Sequence, residues 1–565
     1  MPNGRLSYRS STAILIFLVL ILGFIMSAPA RAEGPDPDKV AIAVEEAVYN
    51  PWPPAPPERT EVYDLVVYGG GFAGCATVIQ ASDLLPPEQK IALVVPESAL
   101  GSIGTVGGMN FFDLRRWHGR SVAGGSFARW FVKYGQGYPT AEMARTLYKD
   151  VVDNSRGRMQ IYFRHEIENV AAADGVITHI DIRPVQRDPA DLAVKWAGPA
   201  LRLTGKVFID ASDNGRLTRL AGVPVTTGRF DRTGDNHQQP ATLMFKVRGI
   251  DVQAALAYRN ALGRPDFFYV KDGNGSWLGW GGQRSVWLEN PIIQTYNARR
   301  TPFTLKAYNI AEDEPGTWWV NALVIHGVDG RLQQIDRGTP HWPQDSPPGT
   351  WDIDTAYREA VAEVQSPAFL AALRSLPGFS GVELVRRPDG SPVVGEILYL
   401  RETIHAVTDA DAVAPGTSNT NYALTPAHVR GAGPDAFHGL DRENYPWRVG
   451  LGFYLVDLHG YLKNDPTENH TLKSQGEAVN PYYVPYAALT TPYAANLLLP
   501  GYAQRTADEA WGAARVIPNL TVCGDAAGVA AAHSLATGRP VNAFTYKDVL
   551  AVRDTLRARG ARVDK

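Results

Sequence analysis

The chain has 565 residues, 45% apolar and 20% charged, the profile of a packed globular protein rather than a disordered, collagenous or coiled-coil one. Lysine and arginine number 55 against 58 aspartates and glutamates, a formal charge of −3 that excludes a broad nucleic-acid footprint. Two cysteines, Cys75 and Cys523, exclude a disulfide framework, and the 12 histidines show no H-x-x-x-H or H-E-x-x-H spacing, so no metal is expected.

The amino end reads as an address. Arg5 and Arg9 precede an apolar run from Ala13 to Met26, followed by small residues at Ala30 and Ala32. This is the pattern of a secretory signal over residues 1–32, and the run falls short of the ~20 residues a spanning helix needs. A periplasmic or secreted protein is expected, with no stable membrane span once the signal is cut; an uncleaved anchor is the alternative. Cleavage after Ala32 removes three arginines and leaves 52 − 58 = −6. Residues 33–60 form a proline-rich linker, stiffest over 50–57 (NPWPPAPP).

Next comes an apolar strand over 62–67, then Gly69-Gly70-Gly71-Phe72-Ala73-Gly74, then a helix to about Leu85 and a second strand over 90–95. G-x-G-x-x-G after a strand and before a helix is a dinucleotide-binding turn. Gly69 permits the tight turn, Gly71 lets backbone approach a diphosphate, and Gly74 allows close helix packing. Phe72 and Ala73 open the helix whose free N–H groups would face the phosphates. Glu97, 26 residues past Gly71, is placed to accept hydrogen bonds from an adenosine ribose. Residues 126–160 read as helical, and short strands follow at 160–163, 176–182, 201–203 and 207–209. The stretch from about 225 to 400 is rich in Gly, Pro and Trp. The last 70 residues return to strand and helix, with an alanine-rich helix over 524–536.

Taken together, these segments resemble the FAD-dependent oxidoreductases of the glutathione-reductase-like superfamily. More narrowly, they are similar to a bacterial group whose glycine turn is followed by a loop of the LGGMAT type. Here that loop is residues 100–108, with Ser102, Ile103 and Gly104 where Gly-Met-Ala is usual, followed by Thr105. Residues 208–215 (FIDASDNG) resemble the family's IDATGDG and bring Asp210 to the cofactor. Residues 483–489 (YVPYAAL) resemble Y-x-[IV]-P-Y-x-x-L. Residues 496–501 (NLLLPG), Arg515 to Pro518 and 524–528 (GDAAG) resemble the closing cofactor segment. Weaker likenesses are Arg401 to His405 and Tyr454 to His459.

The closing segment has two readings. In one, residues 519–525 are a strand ending in Gly524-Asp525, with Asp525 on the ribityl chain. In the other, residues 496–501 are that strand, Gly501 is the ribityl turn, and residues 520–536, with Gly524 and Gly528, are a helix aimed at the flavin pyrimidine. The Arg515-x-x-Pro spacing favours the second.

The resemblance implies FAD as cofactor and an α/β fold. A Rossmann-type FAD-binding domain would be assembled from discontinuous segments, 61–225 and 496–565, with an inserted α+β substrate/cap domain over 226–495. The expected activity is hydride transfer between a small organic substrate, carbohydrate-like molecules included, and the flavin, with an electron acceptor the sequence does not name. His459 is the first candidate base, sharing a strand face with Asp457, against a structural histidine. Arg401 with Glu402 would clamp an anionic or polyhydroxyl substrate, against a buried ion pair. Seven tryptophans, Trp277, Trp280, Trp287, Trp318, Trp319, Trp342 and Trp351, offer a sugar-stacking surface or a cap core. Cys75 and Cys523 read as small core residues. The rival functions are a flavoprotein with structural or non-redox flavin, and a non-catalytic glycan-binding protein.

Overall fold

The computed structural model describes residues 53–407, 422–463 and 479–565. The signal, the start of the linker and parts of the 226–495 stretch lie outside the described residues. No helix among the described residues is long and apolar enough to cross a membrane.

The apolar run before the glycines splits in two, because Tyr63 and Asp64 break the extended chain. Arg59–Val62 joins an outer sheet, pairing in parallel with Leu201–Thr204. The next strand, β1 (Leu65–Tyr68), is buried on both faces, as befits a near-continuous Val/Leu sequence in a parallel sheet. It leads through the glycines into α1 (Phe72–Leu84) and then β2 (Ile91–Val95). The helical stretch is two helices, α2 (Gly125–Tyr134) and α3 (Thr140–Ser155), before β3 (Met159–Phe163). The sheet is completed by β4 (Val207–Asp210) and β5 (Ala494–Leu498), and α4 (Ile517–Thr537) packs against α1. The strand order is β5-β4-β1-β2-β3, all parallel, with Thr490–Thr491 as an antiparallel edge. The chain winds outward through β2 and β3 and then returns to β4 on the other side of β1. That reversal opens a crevice at the carboxyl ends of β1 and β4, where open α/β sheets bind ligands.

The α1–α4 contact explains two glycines. A Cβ on Gly524 would lie 2.2 Å from the Ala73 carbonyl oxygen, and one on Gly528 would lie 2.3 Å from that of Thr77. They are close-packing positions between helices. Cys75 and Cys523 sit in the same layer, buried and free, with burial pushing the Cys523 thiol up to about 12.

The glycine- and tryptophan-rich stretch is an antiparallel sheet of six strands, ordered Phe267–Lys271, Trp277–Gly281, Phe303–Glu314, Thr317–Ile325, Ala241–Arg248 and Glu383–Leu384. Trp318 and Trp319 are 3% and 6% exposed and belong to different clusters: Trp318 packs in the main core, while Trp319 packs beside Ile103, Met109 and Phe111 and borders the cavity described below. Trp280 is 43% exposed and stacks on Phe268 with ring centroids 5.9 Å apart.

One buried ion pair ties the α/β sheet to the turn Gln334–Asp336. Arg216, in the turn after β4, donates two hydrogen bonds to Asp336, at 2.5 and 2.7 Å, and both side chains are almost fully buried. Removing one partner would strand a buried charge. Asp336→Ala is therefore expected to cost about 3–5 kcal/mol of unfolding free energy by denaturant titration, whereas an exposed pair such as Arg248–Glu383 should move it by less than about 1 kcal/mol.

Candidate functional site

The site is built where β1 turns into α1. Gly69 has φ +104°, in the left-handed region, and a Cβ there would lie 2.7 Å from the Ala211 backbone. Gly74 is tighter still: a Cβ would lie 1.9 Å from the Gly69 carbonyl oxygen. Gly71 differs, with φ −65° and only the Ser102 Cβ, at 3.6 Å, in reach of an added Cβ. Its missing side chain keeps open the mouth of the crevice. No side chain caps α1, so its first N–H groups face that opening.

Two clefts meet here. A wide cavity of about 670 Å³ runs from Gly69, Gly70 and Gly71 past Glu97, Ser102 and Thr105 to Arg164 and Arg187. A narrow cleft of about 30 Å³ continues the other way, between Phe72, Ala73 and Ile103 on one side and Gly501, Arg515 and Ile517 on the other. Gly71, Ser102, Ala211 and Asp213 line both.

The wide cavity fits the adenosine end of a dinucleotide. Glu97 follows β2, and its Oε1 accepts the Ser102 hydroxyl at 3.0 Å, while its Oε2 is buried without a partner. Burial, with the Asp213 charge second, pushes its carboxyl up to about 8. Ribose hydroxyls would supply the missing donors. The orphaned oxygen, the uncapped helix start and the bare Gly71 together suit a ribose and diphosphate.

The narrow cleft gathers ionisable side chains. Asp113 lines it beside Met109, Phe111, Tyr399 and Arg515. Burial pushes the Asp113 carboxyl up to about 6 and Asp457 adds to this, while Arg515, Lys306 and a hydrogen bond from Tyr454 oppose the rise. Arg515 donates to the Tyr399 hydroxyl and, at 3.0 Å, to Asp457 Oδ2. Arg515 immediately precedes α4, whose uncapped start at Ile517 also faces the cleft. Positive potential therefore gathers at one end of the cleft.

Of the residues picked from sequence, Gly69, Gly71, Glu97 and Thr105 line the wide cavity, and Phe72, Ala73, Gly501 and Arg515 the narrow one. Gly74 and Gly104 are packing positions; a Cβ on Gly104 would lie 2.4 Å from the Phe72 ring. Asp210 lines neither cleft and binds its own turn, accepting from Ser212 and from the Thr218 amide and hydroxyl. Gly524 and Asp525 do not end a strand, which overturns the first reading of the closing segment. They lie inside α4, where Asp525 accepts from the Ser126 amide at 3.0 Å and from Gln80 at 2.9 Å and so anchors the start of α2.

His459 lies in no strand: the ladder ends at Gly452, and the segment after it is irregular. Its ring still meets Asp457, Nε2 to Oδ2 being 3.5 Å, but it lines neither cleft. Arg401 is buried and does not clamp Glu402. It donates to the Pro240 carbonyl and to Thr242 Oγ1 and lies 4.8 Å over the Tyr399 ring, while Glu402 turns to His405 at 3.1 Å. Sequence reasoning missed Asp113 and Tyr399. A lone acid inside the apolar run Met109 to Leu114, just past the second glycine loop, was the available signal.

Comparisons with known proteins follow this geometry. A structure of a geranylgeranyl bacteriochlorophyll reductase-like protein from Thermoplasma acidophilum is 11% identical over 89% of this chain and 85% of that one, with a TM-score of 0.38. A myxobacterial chondrochloren halogenase is 15% identical over 61% and 65%, at 0.29, and p-nitrophenol 4-monooxygenase from Pseudomonas putida is 11% identical over 57% and 66%, at 0.25. No curated protein matches. Structural scores this low leave the assignment to the sequence profile described as FAD dependent oxidoreductase, which matches residues 64–556. With the match running from the first buried strand to the last helix, the chain belongs to the FAD dependent oxidoreductase family.

Proposed function

We propose that this FAD-dependent oxidoreductase removes a hydride from a small organic substrate in the narrow cleft, with Asp113 as the base. The observation that carries the reading is a buried carboxyl, Asp113, lining the cleft between the glycine turn and the start of α4, with burial pushing it up to about 6. FAD supplies the two-electron acceptor. The amides of Phe72 and Ala73 would hold its diphosphate and Glu97 its ribose, and Gly501 would leave room for its linking chain. Arg515 and the α4 amides favour negative charge at the pyrimidine side.

Asp113 then receives the proton of a substrate hydroxyl or ammonium as the neighbouring C–H bond breaks. Tyr454 orients it, and Ile103, Met109, Phe111 and Leu520 keep water from the reacting atoms. His459, behind Asp457, is a positioning residue in this reading, and Arg401 supports Tyr399 from below. Membership of an enzyme family sets aside the glycan-binding alternative. The test is an anaerobic screen of sugars, hydroxy acids and amines for bleaching of the bound flavin. A substrate that bleaches wild type and not Asp113→Asn supports the reading. Turnover without bleaching favours non-redox chemistry.

The finer placement belongs to the same proposal. The protein is a bacterial member of the glutathione-reductase-like superfamily, with an FAD domain over 61–225 and 496–565 and a cap over 226–495. It is exported to the periplasm or beyond by residues 1–32. Amino-terminal sequencing of the protein from a secreting host is expected to begin at Glu33; a chain that begins at Met1 in the membrane fraction would make the run an anchor.

A further inference from the structure

Glu97 is the expected ribose acceptor, but it is not the only carboxylate at the mouth of α1. Asp213, three residues after β4, lines both clefts at their junction. The Ser102 hydroxyl lies between the two acids, 3.0 Å from Glu97 Oε1 and 3.3 Å from Asp213 Oδ2. Ser102 is itself held at φ +45°, in the left-handed region, directly across from Gly71. A serine bridging two carboxylates thus spans the place where the sequence and the uncapped helix call for a diphosphate. Two ionised acids there would repel it.

We propose that Asp213 keeps a proton when FAD is bound, so that Asp213 and Ser102 both donate hydrogen bonds to the diphosphate, and that cofactor retention depends on this proton.

The surroundings favour that division of labour. Glu97 has an orphaned oxygen suited to ribose hydroxyls, which favour its ionised form. Among the described residues the Asp213 carboxylate accepts from Ser102 alone, and a neutral carboxylic acid can donate where a carboxylate cannot. The charged groups around the pair keep a proton on it. Burial pushes the Asp213 carboxyl up to about 6, with the Ser102 hydrogen bond opposing the rise and the Asp210 charge behind it adding to it. Glu396, tied to the loop by Ser98, adds negative charge beside Glu97. Tyr502, from the segment after β5, is neutral and donates to the Leu400 carbonyl. Arg164 and Arg187 line the far part of the cavity, and among the described residues no cation pairs with Glu97 or Asp213. Without the cofactor the higher value, about 8, falls on Glu97, so the pair carries one proton through neutral pH, and ribose hydroxyls that donate to Glu97 move that proton to Asp213. Affinity for the dianionic diphosphate is then constant at low pH and falls as the pH rises through that value.

The test is FAD retention, independent of any substrate. Holoenzyme is diluted into buffers from pH 6 to 9, and released FAD is read from the recovery of its fluorescence. Wild type is expected to hold FAD about tenfold more weakly at pH 9 than at pH 7, as loss of one proton requires. Asp213→Asn, which cannot ionise, is expected to be flat across the range and to outlast wild type at pH 9. Ser102→Ala is expected to weaken retention at every pH while keeping the wild-type slope. A flat wild-type profile, or an Asp213→Asn profile with the wild-type slope, overturns the proposal. If Asp213→Asn proves unstable by circular dichroism, Asp213→Gly removes the same carboxylate and is read by the same criterion.

Discussion

Asp113→Asn is expected to lower the rate of substrate-dependent flavin reduction by about 10²- to 10⁴-fold, the usual worth of a positioned base, while the protein stays yellow with one FAD per chain. Asparagine keeps the shape and can still accept the Tyr454 hydrogen bond, but it cannot take a proton. The wild-type rate should fall as pH drops below about 6, because burial and Asp457 hold the Asp113 carboxyl there and only the ionised form is a base. The variant's residual rate should lack that limb. Stability should move the opposite way. A carboxyl raised from 3.8 to about 6 binds its proton more tightly in the folded chain than in the unfolded one. Its contribution is fully favourable below 3.8 and is lost as pH rises through 6. The neutral asparagine escapes that loss, so its Tm at pH 7 should equal or exceed that of wild type, as where activity is kept at the expense of stability. A variant that loses FAD instead would show that Asp113 holds the cofactor rather than serving the substrate.

The parts of the site that the sequence reveals are those set by backbone. The glycine turn shows because Gly69 and Gly74 admit no side chain, and the buried strands show because β1 and β2 are apolar on both faces. Such demands are local and leave a fixed spacing. The role of Asp525 was not legible for the opposite reason. Gly524-Asp525 after an apolar run suits a strand end as well as a helix, and only the long-range partners Gln80 and Ser126 show that this acid anchors α2. His459 and Arg401 rested on a similarly local signal. Each was judged by its neighbours in sequence, Asp457 and Glu402, but Arg401 is oriented by the Pro240 carbonyl and Thr242 Oγ1, 161 and 159 residues away. Asp113 escaped notice because its distinction is electrostatic: it arises from burial first and Asp457 second, against Arg515 and Lys306, all contributed by other parts of the chain. The tryptophans show the limit of composition: the same residue type fills the core at Trp318 and faces solvent at Trp280.

Gly71→Val should separate cofactor binding from folding, which the other glycines of the turn cannot do. At Gly71 the backbone is one any residue adopts, and an added Cβ meets only the Ser102 Cβ at an ordinary 3.6 Å. The apoprotein should therefore fold, with the circular dichroism of wild type. The valine side chain would nevertheless occupy the gap in front of the α1 amides, and the diphosphate would have to stand off from its donors. An overpacking cost of about 1–3 kcal/mol corresponds to FAD binding weakened by roughly 5- to 150-fold, so the variant should purify pale and take up colour only at raised FAD concentration. Gly74→Ala should fail differently. Its single methyl would stand 1.9 Å from the Gly69 carbonyl oxygen, so α1 must move off the turn, and the expected loss is in Tm before any FAD is added. The decisive comparison is the Tm of the two apoproteins: if Gly71→Val unfolds as readily as Gly74→Ala, the bare position at Gly71 serves packing, and the diphosphate must be held elsewhere.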